Sequence, residues 1–138
     1  MNSVDARYVR NTTLTVAVLF QSKWRVQILC AMRSGPVRLG QLARLIPGAS
    51  KKMLTQNLRQ LEADGIVVRK DMSDLVLHIE YDLTRQTRES VCALLDYLAT
   101  WGRDHLVKSL GAEGEFRDTL GTGVLDAQPA SGGRKKAE

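Results

Sequence analysis

Ser50-Lys51-Lys52-Met53-Leu54-Thr55-Gln56-Asn57-Leu58-Arg59-Gln60-Leu61-Glu62-Ala63-Asp64-Gly65 reads as a helix with both ends marked. Ser50 is the residue type that accepts a free N–H at a helix start, and Gly65 is the type that ends one. Leu54, Leu58 and Leu61 form its apolar stripe. With Leu54 at zero and about 100° per residue, Leu58 falls near 40° and Leu61 near −20°, while Lys52, Thr55, Gln56 and Arg59 fall roughly between 100° and 200°. The leucine face and the Lys/Thr/Gln/Arg face are therefore opposite one another.

Working outward from this helix gives the rest of the fold. On its N-terminal side, Leu39, Leu42, Ala43 and Ile46 repeat at helical spacing until Pro47-Gly48 stops them, and Ala49-Ser50 leads straight into the next helix. Two helices joined by so short a Gly-containing turn make a helix-turn-helix arrangement. Further upstream, Ser22 is placed to cap a helix with Trp24, Ile28, Ala31 and Met32 on one side, ended by Gly35-Pro36. The segment Thr12 to Phe20 fits two patterns: Leu14, Val16, Val18 and Phe20 alternate like a strand, and Leu14, Val18 and Leu19 share a helical face.

On the C-terminal side, Ile66-Val67-Val68 is a β-branched run answered by Leu75, Leu77, Ile79, Tyr81 and Leu83, which alternate with Val76, His78, Glu80 and Asp82. Asp71-Met72-Ser73-Asp74 supplies the turn, so the pair reads as a β-hairpin, a wing. Thr84 is placed to cap a last helix with Val91, Leu94, Leu95, Leu98, Trp101 and Leu106 at helical period as far as Gly111. Its expected length is about 26 residues, or roughly 40 Å. A helix that long projects from so small a domain unless a second copy covers it, which makes Leu94, Leu95, Leu98, Trp101 and Leu106 candidate dimer-interface residues. The expected class is mainly α with a small β-hairpin: a winged helix-turn-helix domain over residues 1–110 with N-terminal and C-terminal dimerisation helices, then a flexible tail over residues 111–138.

With 138 residues, 43% of them hydrophobic and 25% charged, the chain has the composition of one soluble domain with a core, not of a disordered or membrane protein. The most apolar stretch, Leu14 to Phe20, is short and followed by Gln21, Ser22 and Lys23, so no membrane contact and a cytoplasmic address are expected. Charge is unevenly distributed. Residues 1–70 hold 12 Lys or Arg against 3 Asp or Glu (net +9), residues 71–110 hold 4 against 7 (net −3), and residues 111–138 hold 4 against 5 (net −1). A basic first half points to a polyanion there.

The outward face of the Ser50 to Asp64 helix suits double-stranded DNA. Arg bonds bidentately to guanine, Gln to adenine, a Thr methyl meets the thymine methyl, and Lys neutralises phosphate. The expected DNA contacts are Ser50, Lys51, Lys52, Thr55, Gln56 and Arg59. Arg38 and Arg44, on the preceding helix, are expected along the backbone, as are Arg69 and Lys70 on the rising strand of the wing, whose tip carries the phosphate-repelling Asp71 and Asp74.

Three blocks together resemble one family. They are Ser22-Lys23-Trp24, then Ser34-Gly35-Pro36-Val37-Arg38-Leu39-Gly40-Gln41-Leu42, then Ile46 through Gly65. With Glu80-Tyr81-Asp82-Leu83-Thr84 and Trp101-Gly102, they are similar to the HxlR-type winged-helix regulators over roughly residues 11 to 103. The resemblance implies a dimeric transcriptional regulator whose Ser50 to Asp64 helix enters the major groove and whose terminal helices pair. It also implies that Thr12 to Phe20 is helical. The chain departs from the pattern with Ser22 for a Gly, Thr87 where a Gly often follows the Leu-Thr pair, and no Pro-Pro in the wing. Some relatives sense electrophiles or oxidants through a cysteine before the first helix, and Asn11 stands at about that place here.

The remaining residues carry no chemistry of their own by this reading. Cys30 and Cys92 lie far apart without CxxC spacing and are expected to pack inside, with a redox role for Cys92 as the alternative. His78 is expected to face solvent, and His105 has no second ligand in reach. No metal, cofactor or catalytic constellation is expected, and so no enzyme. Tyr97 and Trp101 read as core or dimer packing, with a pocket for an unknown small-molecule effector between the long helices as the alternative. The chief alternative function is a winged-helix protein-interaction module without specific DNA binding.

Overall fold

The computed structural model describes residues 3–107, so the expected tail over 111–138 and the expected helix end at Leu110 lie outside the described residues. Five helices and one hairpin follow in chain order: α1 (Ala6–Leu19), α2 (Lys23–Met32), α3 (Leu39–Leu45), α4 (Lys51–Ala63), β1 (Val67–Asp71), β2 (Ile79–Leu83) and α5 (Arg88–Gly102), which runs into a π-helical turn, Arg103–Val107. The segment with two fitting patterns is helical, as the resemblance implied. Asp5 starts α1 by accepting the Arg7 N–H at 2.9 Å.

Each of the two central helix starts is made as its sequence dictates. Ser22 Oγ accepts the Arg25 N–H at 3.3 Å, and Ser50 Oγ accepts the Met53 N–H at 3.1 Å. The sharp turn between α3 and α4 needs Gly48, because a Cβ there would stand 3.1 Å from Cη2 of Trp24. Gly65, at φ +76°, closes α4 in the left-handed region that disfavours other residues.

The core sits where α2, α3 and α4 meet the base of the hairpin. Ile28, Leu29, Met32, Leu42, Leu54, Leu58 and Leu61 are fully enclosed, joined by Ile46, Val67, Leu83, Val91 and Leu95. On α2 the buried face is Arg25, Ile28, Leu29 and Met32, while Trp24 and Ala31, expected on the core-facing side with Ile28 and Met32, are half-buried. The i, i+3, i+4, i+7 spacing of those four is a complete helical stripe, and a charged residue occupies one end of it.

The wing is narrower in its pairing than the alternation implied. β1 and β2 pair antiparallel from Val67 opposite Leu83 to Asp71 opposite Ile79, and Val37 adds a bridge to Tyr81 with both hydrogen bonds at 2.8 Å. Leu75 and Leu77, expected in the strand, belong to the loop instead. Asp71 accepts the Ser73 N–H and Ser73 Oγ accepts the His78 N–H, both at 2.9 Å, which closes a loop over residues 72–78. Leu75 is 96% exposed because nothing in the domain reaches it.

Thr84 does not cap the last helix, which starts three residues later than expected. The Thr84 hydroxyl donates to Gly65 O at 3.0 Å and Thr87 Oγ1 donates to Ile66 O at 3.2 Å, so this Leu-Thr turn ties the end of the wing to the end of α4. Thr87 is the N-cap of α5. Leu95, expected on the dimer face, is only 6% exposed and packs into the core of its own domain with Val91. Two ion pairs hold α5 down: Arg33 on Asp96 at 2.7 Å and 3.0 Å, and Arg88 on Asp82. Arg33 holds the Asp96 carboxyl below its ordinary value.

Candidate nucleic-acid interface

The recognition-type face of α4 is built by opposition. Leu54, Leu58 and Leu61 fix the helix against the core, and the residues at the opposite angle are thereby turned outward. Lys51, Lys52, Gln56 and Arg59 are exposed and Thr55 is half-buried; with Gln60 they line one open depression of about 480 Å³. Among the described residues, none of the side chains of Lys51, Lys52, Gln56 or Arg59 is engaged in a hydrogen bond or ion pair. That leaves two Lys charges, one guanidinium and one amide on a single surface. Asn57 faces the other way, donating to Met53 O at 2.8 Å and accepting from Ser22 Oγ at 3.1 Å, and so pins the start of α2 to α4.

The flanking candidates are placed less uniformly. Arg38 stands at the start of α3, and its guanidinium donates to Leu77 O of the wing loop at 3.2 Å, so it joins α3 to the wing while staying exposed. Arg44 is exposed in the last turn of α3. Arg69 and Lys70 are exposed on β1, opposite Tyr81 and Glu80. Ser50 spends its hydroxyl on the α4 cap. Sequence reasoning missed Gln60 as a member of the lined surface, although its place one residue beyond Arg59 was visible.

The candidate dimer residues divide. Leu98 is 39% and Trp101 46% exposed, Leu106 is exposed, and Leu94 is half-buried against the core. Tyr97 and Val107 are exposed as well, as are Tyr8, Val9, Leu14 and Val16 on α1. The π-helical turn stacks His105 on Trp101 with ring centres 4.8 Å apart.

The cysteines are unlike the expectation in one respect. Cys92 is half-buried, but Cys30 reaches the surface. Burial around its sulfur still pushes the Cys30 thiol above its ordinary value, with nearby Arg33 acting the other way. The neutral thiol is thus favoured at neutral pH, and the thiolate is the reactive form. Alkylation of Cys30 by iodoacetamide in a Cys92→Ser background should therefore be slower than that of free cysteine at pH 7.5 and accelerate as pH rises through a midpoint above the ordinary thiol value. Diamide should leave DNA binding intact; a gel shift abolished by diamide and restored by thiol would overturn that expectation.

Among the described residues, no group of three His, Cys, Asp or Glu is placed to hold a metal, and no helix is long and apolar enough to cross a membrane. His78, half-buried, has Nε2 2.9 Å from Glu80 Oε1.

Known proteins share this arrangement. The HTH-type transcriptional regulator YtcD of Bacillus subtilis (strain 168), itself uncharacterized, is 40% identical over 89 residues, 64% of this chain and 70% of that protein. YkvN of the same organism, similarly described, is 38% identical over 94 residues, 68% of this chain and 78% of its own. Among solved structures, the redox regulator HypR in its reduced form covers 72% of this chain and 98% of its own at a TM-score of 0.65 and 29% identity. The crystal structure of ytcD covers 69% and 95% at 0.62 and 37%. The family model for HxlR-like helix-turn-helix proteins matches residues 19–109, which include α2 through α5 and the wing. The chain belongs to the HxlR-like helix-turn-helix family and is a DNA-binding transcriptional regulator of that type.

Proposed function

We propose that this protein binds a palindromic operator as a homodimer in the cytoplasm and discriminates its sequence through α4. The observation that carries the reading is the unengaged Lys51, Lys52, Thr55, Gln56 and Arg59 surface directly opposite Leu54, Leu58 and Leu61. Arg59 and Gln56 are the base-reading residues, Thr55 lies beside them, and Lys51 and Lys52 neutralise phosphate at the amino end of the helix, where free N–H groups add to anion affinity. Ser50 holds that end in shape. Arg38, Arg69 and Lys70 meet the backbone on either side, with Arg38 also fixing the wing relative to α3. Leu94, Leu98, Trp101 and Leu106 form the C-terminal part of the dimer contact.

The test separates reading from simple charge. Arg59→Ala or Gln56→Ala should weaken binding to the selected operator by about 1–3 kcal/mol and relax preference at one position of each half-site. Lys52→Ala should weaken binding to every sequence and reduce the steepness of its salt dependence by about one unit. Fluorescence anisotropy over a salt series reads both. Intact operator affinity in Arg59→Ala, with an unchanged melt by circular dichroism, would remove α4 from the role.

A further inference from the structure

Arg25 is an anomaly in the core of this domain. Its side chain is 3% exposed, yet its charge is only loosely answered: the Asp64 carboxylate lies 3.7 Å from Nη1 and is itself 41% exposed. Nη1 also donates to Val18 O of α1 and Nη2 to Gln60 Oε1 of α4, both uncharged acceptors, and Nε is buried with no acceptor at all. A guanidinium taken out of water is costly unless a close anion and a full set of acceptors surround it. Beside it lies a pocket of about 300 Å³, at the lower end of the range for small-molecule sites of about 300–1,000 Å³. Its walls pair Arg25, Gln60 and Asp64 with the apolar Ala17, Val18 and Ala63.

We propose that this pocket, between the end of α1, the start of α2 and the end of α4, is a binding site for a small organic carboxylate. The ligand carboxylate takes the place on Arg25 that Asp64 now holds from a distance, and its short apolar body lies against Ala17, Val18 and Ala63. A monoanion fits because the site offers one cation; a phosphate dianion would face Asp64 with no second positive group lining the pocket. Occupancy exchanges the contact between Asp64 and Arg25 for one to the ligand, and Asp64 is the C-cap residue of α4, just before Gly65. The site thereby supplies the regulator proposed above with an effector input at the far end of its reading helix. The inference deepens that reading, but its test needs no DNA, so either can fail alone.

Benzoate serves as the probe, with benzamide as its uncharged isostere and inorganic phosphate as a generic anion. Titrated into the full chain labelled with ¹⁵N, benzoate should move the Arg25 Nε–H resonance saturably, and benzamide and phosphate should not. Arg25→Gln should lose benzoate affinity by at least about ten-fold, as expected for a charge-assisted contact. That variant removes a buried group and its fold must be checked. Asp64→Asn, at an exposed position, is the sharper test: with the internal competitor neutralised, benzoate should bind several-fold more tightly. No saturable shift, equal binding of benzamide or phosphate, or unchanged affinity in a folded Asp64→Asn would each overturn the proposal.

Discussion

Leu58→Ala should lower the stability of the domain by about 2–5 kcal/mol, read as a reduced midpoint of urea unfolding at unchanged slope. Leu58 is fully enclosed, between Leu54 and Leu61 along α4 and within the cluster that includes Ile28, Leu29 and Met32. Removing its branched end leaves a cavity that helices fixed on several sides cannot collapse. Its neighbour Arg59 points away from the same core, so Arg59→Ala should change the unfolding midpoint hardly at all while operator affinity falls. One step along the chain thus separates the two kinds of loss. A Leu58→Ala protein as stable as the parent would mean that α4 is not anchored by its leucine stripe, and the outward presentation of Arg59 and Gln56 would lose its cause.

That helix was legible because every local signal agreed. Ser50 caps, Leu54, Leu58 and Leu61 repeat at the right spacing, Gly65 stops, and the structure makes each feature where expected. Elsewhere the same pattern rules gave less because burial depends on what lies opposite. The alternation from Leu75 to Leu83 is continuous, but β1 ends at Asp71 and only residues 79–83 find a partner strand. Arg25 occupies an apolar position of α2, and nothing in a charged residue's type announces that it will be enclosed. Its guanidinium reaches acceptors on α1 and α4, 7 and 35 residues away along the chain. Thr84 has the chemistry of a helix cap, yet the carbonyl of Gly65 claims its hydroxyl first. The basic outward surface, local to one helix, was readable; the pocket beside Arg25, assembled from three helices, was not.

The same distinction sharpens the dimer argument. The sequence gives α5 more apolar residues than one domain can cover, without saying which of them the domain keeps. The structure divides them into two stripes. Arg88, Val91, Cys92 and Leu95 face inward, and Leu94, Leu98 and Trp101 run along the edge that leaves the domain, with Leu106 and Val107 continuing in the π-helical turn. The described part of this helix, α5 with its π-helical turn, stops at Val107 and the expected end at Leu110 lies outside the described residues, so the case for a second copy rests on exposure and not on length. Exposed apolar side chains grouped along one helix are what a second copy would cover, and Tyr8, Val9, Leu14 and Val16 on α1 are exposed as well. Leu98→Glu should therefore give folded monomers at micromolar concentration that lose the operator but keep a weak, salt-sensitive affinity for any DNA. In the proposed dimer, two-fold pairing would set two α4 helices at a fixed separation for half-sites about one helical turn, near 34 Å, apart, and one domain alone would forfeit half of those contacts. Leu95→Glu should behave differently: with its side chain in the core, it should unfold the domain and lose both kinds of binding. Light scattering reports the mass, circular dichroism the fold, and a footprint the symmetry. A native protein that is monomeric at micromolar concentration and protects one asymmetric site, or a Leu98→Glu protein that stays dimeric, would show that this stripe packs against something other than a second copy.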